Sequence, residues 1–255
     1  PQRTGVRGEE AAAPRPHVTQ PGVRPRVVSL VPSVTETLLA WGVTPVACTR
    51  FCEQPDLAHV GGTKDPDVAA IVELAPDLVV VCIEENRRED ADALAEAGVV
   101  AAALSIDSVS DVAPALRMLS GLVGVAAEVA DVEPVALVDA PPLRAFVPIW
   151  KRPWMTISGG TYGSSLLAAI GVANVFADAA ERYPTVTLDE VRGRRPDVVL
   201  APSEPYPFAA RHVPLFADVA PVVLVDGQDL FWWGARTPAA IARLRAQLAE
   251  VDRGP

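Results

Sequence analysis

Residues 68–85 read VAAIVELAPDLVVVCIEE, and residues 188–205 read LDEVRGRRPDVVLAPSEP. Aligned without gaps, the two stretches place Pro76 on Pro196, Asp77 on Asp197, Val79 on Val199 and Glu84 on Glu204. Each is a helical run, a Pro-Asp that ends it, and an apolar run rich enough in valine and leucine to be a strand buried on both faces. Helix–Pro-Asp–strand is also a generic connection, because proline stops a helix and aspartate tolerates a turn. A carboxylate at the same distance after the proline in both copies goes further. So does the pattern L-x-x-x-G-V upstream of each, at Leu38 to Val43 and at Leu167 to Val172. The chain therefore reads as two tandem α/β lobes.

Working outward, short β-branched runs alternate with helical stretches, the pattern of parallel sheets covered by helices. The strand candidates are RVVSL (26–30), PVACT (45–49), LVVVC (78–82), VVAAAL (99–104), AFVPI (145–149), VVLA (198–201) and VVLV (222–225). Ser33 is the expected N-cap of the first helix, with Glu36 as its capping-box partner and Gly42 as its stop. A second helix is expected over 86–97 from an Asn86 cap, and a last one from a Thr237 cap. Residues 1–25 combine Pro, Gly, Arg and Glu with few large apolar side chains and read as a disordered leader.

The chain has 255 residues, is 50% hydrophobic and carries a net charge of −10. That acidity excludes nucleic acid and an anionic membrane as partners, since both are held by clustered Lys and Arg. Cys48, Cys52 and Cys82 are too few for a disulfide framework and lack a second metal-ligand pair. No apolar run reaches the roughly 18 residues of a membrane span. No positively charged start followed by an apolar core marks a secretory signal, though the chain begins at Pro1 and processing would remove one.

In an open parallel sheet, ligands sit beyond the carboxyl ends of the strands. Glu84, Glu85, Asn86 and Arg87 follow one such end, and Glu204, Tyr206 and Phe208 follow its duplicate. Aromatic residues are 5% of the chain, yet Trp150, Trp154, Tyr162, Tyr183, Tyr206, Phe208, Phe231, Trp232 and Trp233 all lie in the second half. Trp154, Trp232 and Trp233 read as cleft residues for a flat ligand, Trp150 and Phe231 as core. Phosphate loops, the nucleophile elbow and H-E-x-x-H are absent. His17, His59 and His212 form no cluster, so neither an enzyme nor a metal site is expected. Glu84 and Glu204 are able to do acid–base work only if one is desolvated.

The segments RVVSLVPSVTETLLAWGV, TRF, VGGTKDPDVAAIVELAPDLVVV, WMTISGGTYGSSLLAAIGVANVF and WWGARTP, in that order, resemble the helical-backbone class of ABC-transporter substrate-binding proteins. Within it the similarity is to the cobalamin and iron–siderophore receptors. The resemblance spans about residues 26–250. It implies two Rossmann-like α/β lobes with parallel central sheets (26–124 and 144–255), joined by a connecting helix expected within 125–143, with the ligand cleft between them. It implies ligand contact at Pro32, Phe51, Tyr183, Trp232 and Trp233, to which the residues themselves add Arg50, Glu84, Asn86, Arg87, Trp154, Tyr162, Glu204 and Tyr206. Two tryptophans that the cobalamin binders present align with Thr63 and Cys82, and their late Glu-Arg pair aligns with Gly234 and Ala235. Their acidic permease contacts fall on Ala69 and Asp189, with Glu190 beside the second.

The expected function is capture of a cobalamin-like or metal-chelate ligand (siderophore or haem type) for an ABC importer. The expectation includes a monomer outside the cytoplasm, a permease partner, no membrane insertion, no covalent cofactor, and a corrinoid or iron chelate as ligand. The alternative is a non-transport soluble carrier, or an enzyme of the same fold, in the cytoplasm.

Overall fold

The computed structural model of the chain describes residues 24–129, 131, 142–249 and 251. Its first half runs β1 (Val27–Ser29), α1 (Pro32–Ala40), β2 (Ala47–Cys48), β3 (Ala58–His59), α2 (Val68–Glu73), β4 (Leu78–Cys82), α3 (Arg88–Glu96), β5 (Ala101–Leu104) and α4 (Val109–Leu122). These strands form one parallel sheet in the order β3-β2-β1-β4-β5. Every residue of β4 is buried, which is why its sequence is an unbroken apolar run.

The second half runs β6 (Leu143–Phe146), β7 (Pro148–Lys151), β8 (Trp154–Thr156), α5 (Tyr162–Ala169), β9 (Val172–Asn174), β10 (Thr185–Val186), α6 (Leu188–Gly193) and β11 (Val198–Pro202). A 3-10 turn at Ala210–Phe216, then β12 (Val222–Val225), α7 (Gly227–Phe231) and α8 (Thr237–Leu248) complete it. A parallel sheet in the order β12-β11-β6-β9 mirrors the first. An antiparallel sheet, β10-β8-β7, is added to it.

The repeat extends to individual hydrogen bonds. Arg26 donates to the carbonyls of Leu74 (2.7 Å) and Ala75 (3.4 Å) at the end of α2, and its backbone N–H donates to Asp77 Oδ2 (2.7 Å). Arg144 donates in the same way to Arg194 (2.7 Å) and Arg195 (3.3 Å) after α6, and its N–H donates to Asp197 Oδ2 (2.8 Å). Ala75 and Arg195 both sit in the left-handed region, at φ 45° and 50°. A guanidinium thus satisfies carbonyls that the helix end leaves without partners, at the end where the helix dipole favours a cation. The sequence reading found the Pro-Asp and missed the arginine that explains it.

One core joins the halves. Leu38, Leu104 and Leu119 from the first pack in the same buried cluster as Leu166, Trp233 and Leu244 from the second. Each such side chain contributes about 1.5–3 kcal/mol when fully buried. Polar contacts cross the same boundary: Val109 N–H donates to Ser165 Oγ (3.1 Å), and Ala235 N–H donates to Thr37 Oγ1 (3.1 Å). Arg236 Nε lies 2.9 Å from Glu36 Oε2, without hydrogen-bond alignment. Gly234, at φ 128°, rests against Thr37 so closely that a Cβ would overlap its hydroxyl.

Several local expectations are corrected. Pro32 takes the first turn of α1 and Val31 its cap, so Ser33 lies inside the helix, with a buried hydroxyl that has no partner among the described residues. Arg87, not Asn86, caps α3, and Arg236, not Thr237, precedes α8. The run AFVPI is cut at Val147, whose carbonyl accepts from Thr156 Oγ1 (2.7 Å), and is shared between β6 and β7. Strands β3, β8, β9 and β10 were missed because each has only two or three residues and, unlike the equally short β1 and β2, none lies in a valine-rich apolar run. The helix leaving the first sheet is α4, which ends at Leu122. Residues 125–129 are not helical; residues 130 and 132–141 of the expected connector, and 1–23 of the expected leader, lie outside the described residues.

Candidate functional site

The carboxyl ends of the two parallel sheets face a shared cavity of about 950 Å³. Loops following β1, β2, β3, β4 and β5 bring Pro32, Phe51, Lys64, Glu84, Glu85 and Ile106 to one wall. The opposite wall comes from β7, β8, the start of α5, the loop after β11 and the end of α7, with Ile149, Met155, Tyr162, Glu204, Phe231 and Trp232 among its residues. This is where an open parallel sheet holds ligands, because strand order reverses beside β1 and beside β6.

Of the thirteen ligand contacts expected from sequence, nine line this cavity: Pro32, Arg50, Phe51, Glu84, Tyr162, Tyr183, Glu204, Trp232 and Trp233. Phe51 is 51% exposed and Tyr183 37%, so each ring offers free stacking surface. The Arg50 guanidinium sits 4.8 Å above the Phe51 ring centroid, and that of Arg236 lies 5.3 Å from the Trp232 ring, which fixes both planes. Tyr162 is buried; its hydroxyl shares a 3.1 Å hydrogen bond with Thr237, and burial pushes it up to about 12.

The other four lie elsewhere. The Asn86 amide accepts from Cys82 N–H (2.7 Å) and donates to the carbonyls of Leu30 (3.1 Å) and Thr63 (2.9 Å), tying three strand-end loops together behind the wall. Arg87 is held by Asp90 of its own helix (2.8 and 2.9 Å). Trp154 stacks on Phe208 (6.2 Å, 6° between planes) and packs on Phe216, in the core. Tyr206 packs on Phe208 and, edge-on, on Trp150 at 5.6 Å. Phe231, read from sequence as core, lines the cavity.

Glu84 is not the free carboxylate the repeat suggested. Arg182, from the second half, reaches across and binds it with two hydrogen bonds (2.9 and 2.7 Å), and also meets Asp107 at 2.7 Å. This interaction holds the Arg182 guanidinium above its ordinary range. Arg182 was missed because nothing in its local sequence names a partner 98 residues away. Glu85 carries the perturbed carboxyl of the first wall: burial, then the neighbouring Glu84, push it up to about 7, against the opposing charge of Lys64. Burial also raises Glu204, opposed by a hydrogen bond from Trp232.

The expected permease contacts lie in the first turn of α6. Asp189 is exposed and paired with Arg192 (2.6 Å). The Glu190 carboxylate accepts from Thr187 N–H and Oγ1 (2.6 and 2.8 Å) in a capping box, which draws it below the usual range. In the matching turn of α2, Asp67 is the cap and Ala69 is exposed.

No family model matches the chain. Over 248 residues it is 27% identical to a vitamin B12-binding protein of Yersinia pestis (strain Pestoides F), covering 85% of this chain and 89% of that protein. Among solved structures it is similar to the periplasmic vitamin B12 binding protein BtuF of Vibrio cholerae, with a TM-score of 0.72 and 18% identity over 91% of this chain and 99% of that one. It is also similar to the periplasmic heme-binding protein BhuT in complex with two hemes, with a TM-score of 0.75 and 20% identity over 89% and 98%. The resemblance read from the sequence holds, and the fold is that of these periplasmic binding proteins.

Proposed function

We propose that the chain is a substrate-binding protein that holds a cobalamin-like or metal-chelate ligand, of siderophore or haem type, between its two sheets and delivers it to an ABC importer. It acts as a monomer outside the cytoplasm, without a covalent cofactor and without catalysis. The observation that carries this reading is the cavity itself. Its volume of about 950 Å³ stands at the upper end for small-molecule sites. Its walls combine exposed aromatic faces with a few polar groups, the lining suited to a large ligand with an apolar face. The vitamin B12-binding and heme-binding names of similar proteins support the same ligand class. The shared core and the Arg182 link between halves favour walls set in place before the ligand arrives, which lowers the entropic cost of binding. Asp189 is the permease contact in this reading, and Glu190 holds the turn that presents it.

The test is tryptophan fluorescence during addition of cyanocobalamin, hemin and a ferric siderophore. At least one is expected to quench Trp232 and Trp233. Trp232→Ala is expected to weaken the same ligand by about 2 kcal/mol, or thirtyfold, measured by calorimetry. A flat response to all three ends the reading.

A soluble carrier without a permease is the second reading, favoured by Ala69 where the first lobe's docking acid is expected. Disrupting the gene separates the two: uptake of the bound ligand is lost under the importer reading and persists under the carrier reading.

A further inference from the structure

The charges lining the cavity are unequally spent. Arg50 Nη2 donates to both carboxylate oxygens of Asp65 (2.9 and 3.0 Å), and Lys64 Nζ donates to the Glu84 carbonyl (2.8 Å). Arg182 is held by Glu84 and Asp107. On the acidic side, Glu53, Glu85 and Glu204 line the cavity, and among the described residues none of them forms an ion pair. Glu85 and Glu204 come from the corresponding strand ends of β4 and β11, so they approach the ligand space from opposite walls. A hydrogen bond from Trp232 reaches Glu204, while Ile106, Ile149, Met155 and Phe231 in the same lining offer no donor.

We propose that Glu85 and Glu204 read N–H donors on the rim of the ligand, so that the cavity takes a macrocyclic chelate whose rim carries amides or positive charge and rejects one whose rim carries carboxylates. This rests on the cavity being the ligand site of the proposed function. An ionised carboxylate accepts hydrogen bonds and has none to give, so it pairs with an amide N–H and repels a carboxylate. Low-dielectric surroundings strengthen both effects. Burial has raised Glu85 to about 7 and Glu204 above its ordinary range, the signature of desolvated carboxylates without enough donors. Arg50 and Arg182 are already paired with protein carboxylates, and Lys64, whose charge is met only by the Glu84 carbonyl, is one cation against the three carboxylates of Glu53, Glu85 and Glu204.

Equilibrium dialysis at pH 8, where Glu85 is ionised, tests the inference with dicyanocobinamide, whose rim carries amides and no phosphate, and with hemin, whose rim carries two carboxylates. The native chain is expected to bind dicyanocobinamide at least tenfold more tightly than hemin. In the isosteric double variant Glu85→Gln with Glu204→Gln, that ratio is expected to fall at least tenfold, chiefly through a gain in hemin binding. Should the double variant fail to fold, Glu204→Gln alone is expected to lower the ratio at least threefold. Hemin bound as tightly as the corrinoid by the native chain, or a ratio unchanged in the variants, overturns the inference. Hemin-first binding leaves the proposed function standing and removes only the rim reading. Silence from both probes and from cyanocobalamin and ferric siderophore removes both.

Discussion

The two halves of the chain share a helix–Pro-Asp–strand unit down to the arginine that clamps it, yet they present unlike walls to the cavity. The first wall is charged, with Arg50, Glu53, Lys64, Glu84 and Glu85; the second is mainly apolar and aromatic, with Ile149, Met155, Tyr183, Phe231 and Trp232, and Glu204 as its carboxylate. The scaffold repeats because both sheets face the same packing problem: a parallel strand must be buried on both faces, and the helix before it must end cleanly. The walls differ because they are built from loops and helix ends, where a substitution costs the core little. Fold and site are therefore separable in this molecule: the halves share the scaffold and differ in the lining of the cavity.

The comparison breaks most directly where the halves touch. Gly234→Ala places a Cβ onto the Thr37 hydroxyl at a φ of 128°, where an L side chain is strained. Thr37 is fully buried, and its hydroxyl already donates to the Ser33 carbonyl and accepts from Ala235 N–H, so it has little room to turn aside. The expected loss is about 3 kcal/mol in a urea melt. A loss below about 1 kcal/mol would mean the halves are not held as one body.

The charged wall has a pH signature of its own in Glu85. Glu85 is raised in the folded chain from an ordinary 4.5 to about 7, so between those values the folded form keeps a proton that the unfolded form releases. Its contribution is therefore most favourable below about pH 4.5 and is lost as the pH rises through 7. Between pH 5 and pH 8 the ligand-free protein is expected to lose on the order of 2 kcal/mol from this group, a fall in Tm of about 5 °C. Glu85→Gln should reduce that slope and leave only the part carried by the raised Glu204; an unchanged slope places the titrating group elsewhere.

The sharpest test of sameness has the smallest effect. Arg26→Ala and Arg144→Ala each remove a clamp on partly exposed carbonyls and should each cost about 1 kcal/mol, within about 0.5 kcal/mol of one another. Unequal costs would show that the repeat is one of geometry and not of energy.

Much of this was legible in one dimension. The gapless match of 68–85 to 188–205 located α2, β4, α6 and β11, and the strand-end carboxylates pointed to the cavity before its walls were known. Strand hydrophobicity and a Pro-Asp stop are local properties, set by a few neighbouring residues, so the sequence by itself determined the α/β class and the duplication. Roles that depend on which side chain arrives from elsewhere were not legible. Asn86 looked like a ligand contact and is a brace for three loops; Trp154 and Tyr206 looked like cleft residues and pack against Phe208. Glu84 looked free and is bound by Arg182. Only the tertiary structure decided these, because a hydrogen bond or stacking partner is chosen by how the two sheets are set against each other. That arrangement is fixed by a core drawn from both halves, and no short stretch of the chain contains it.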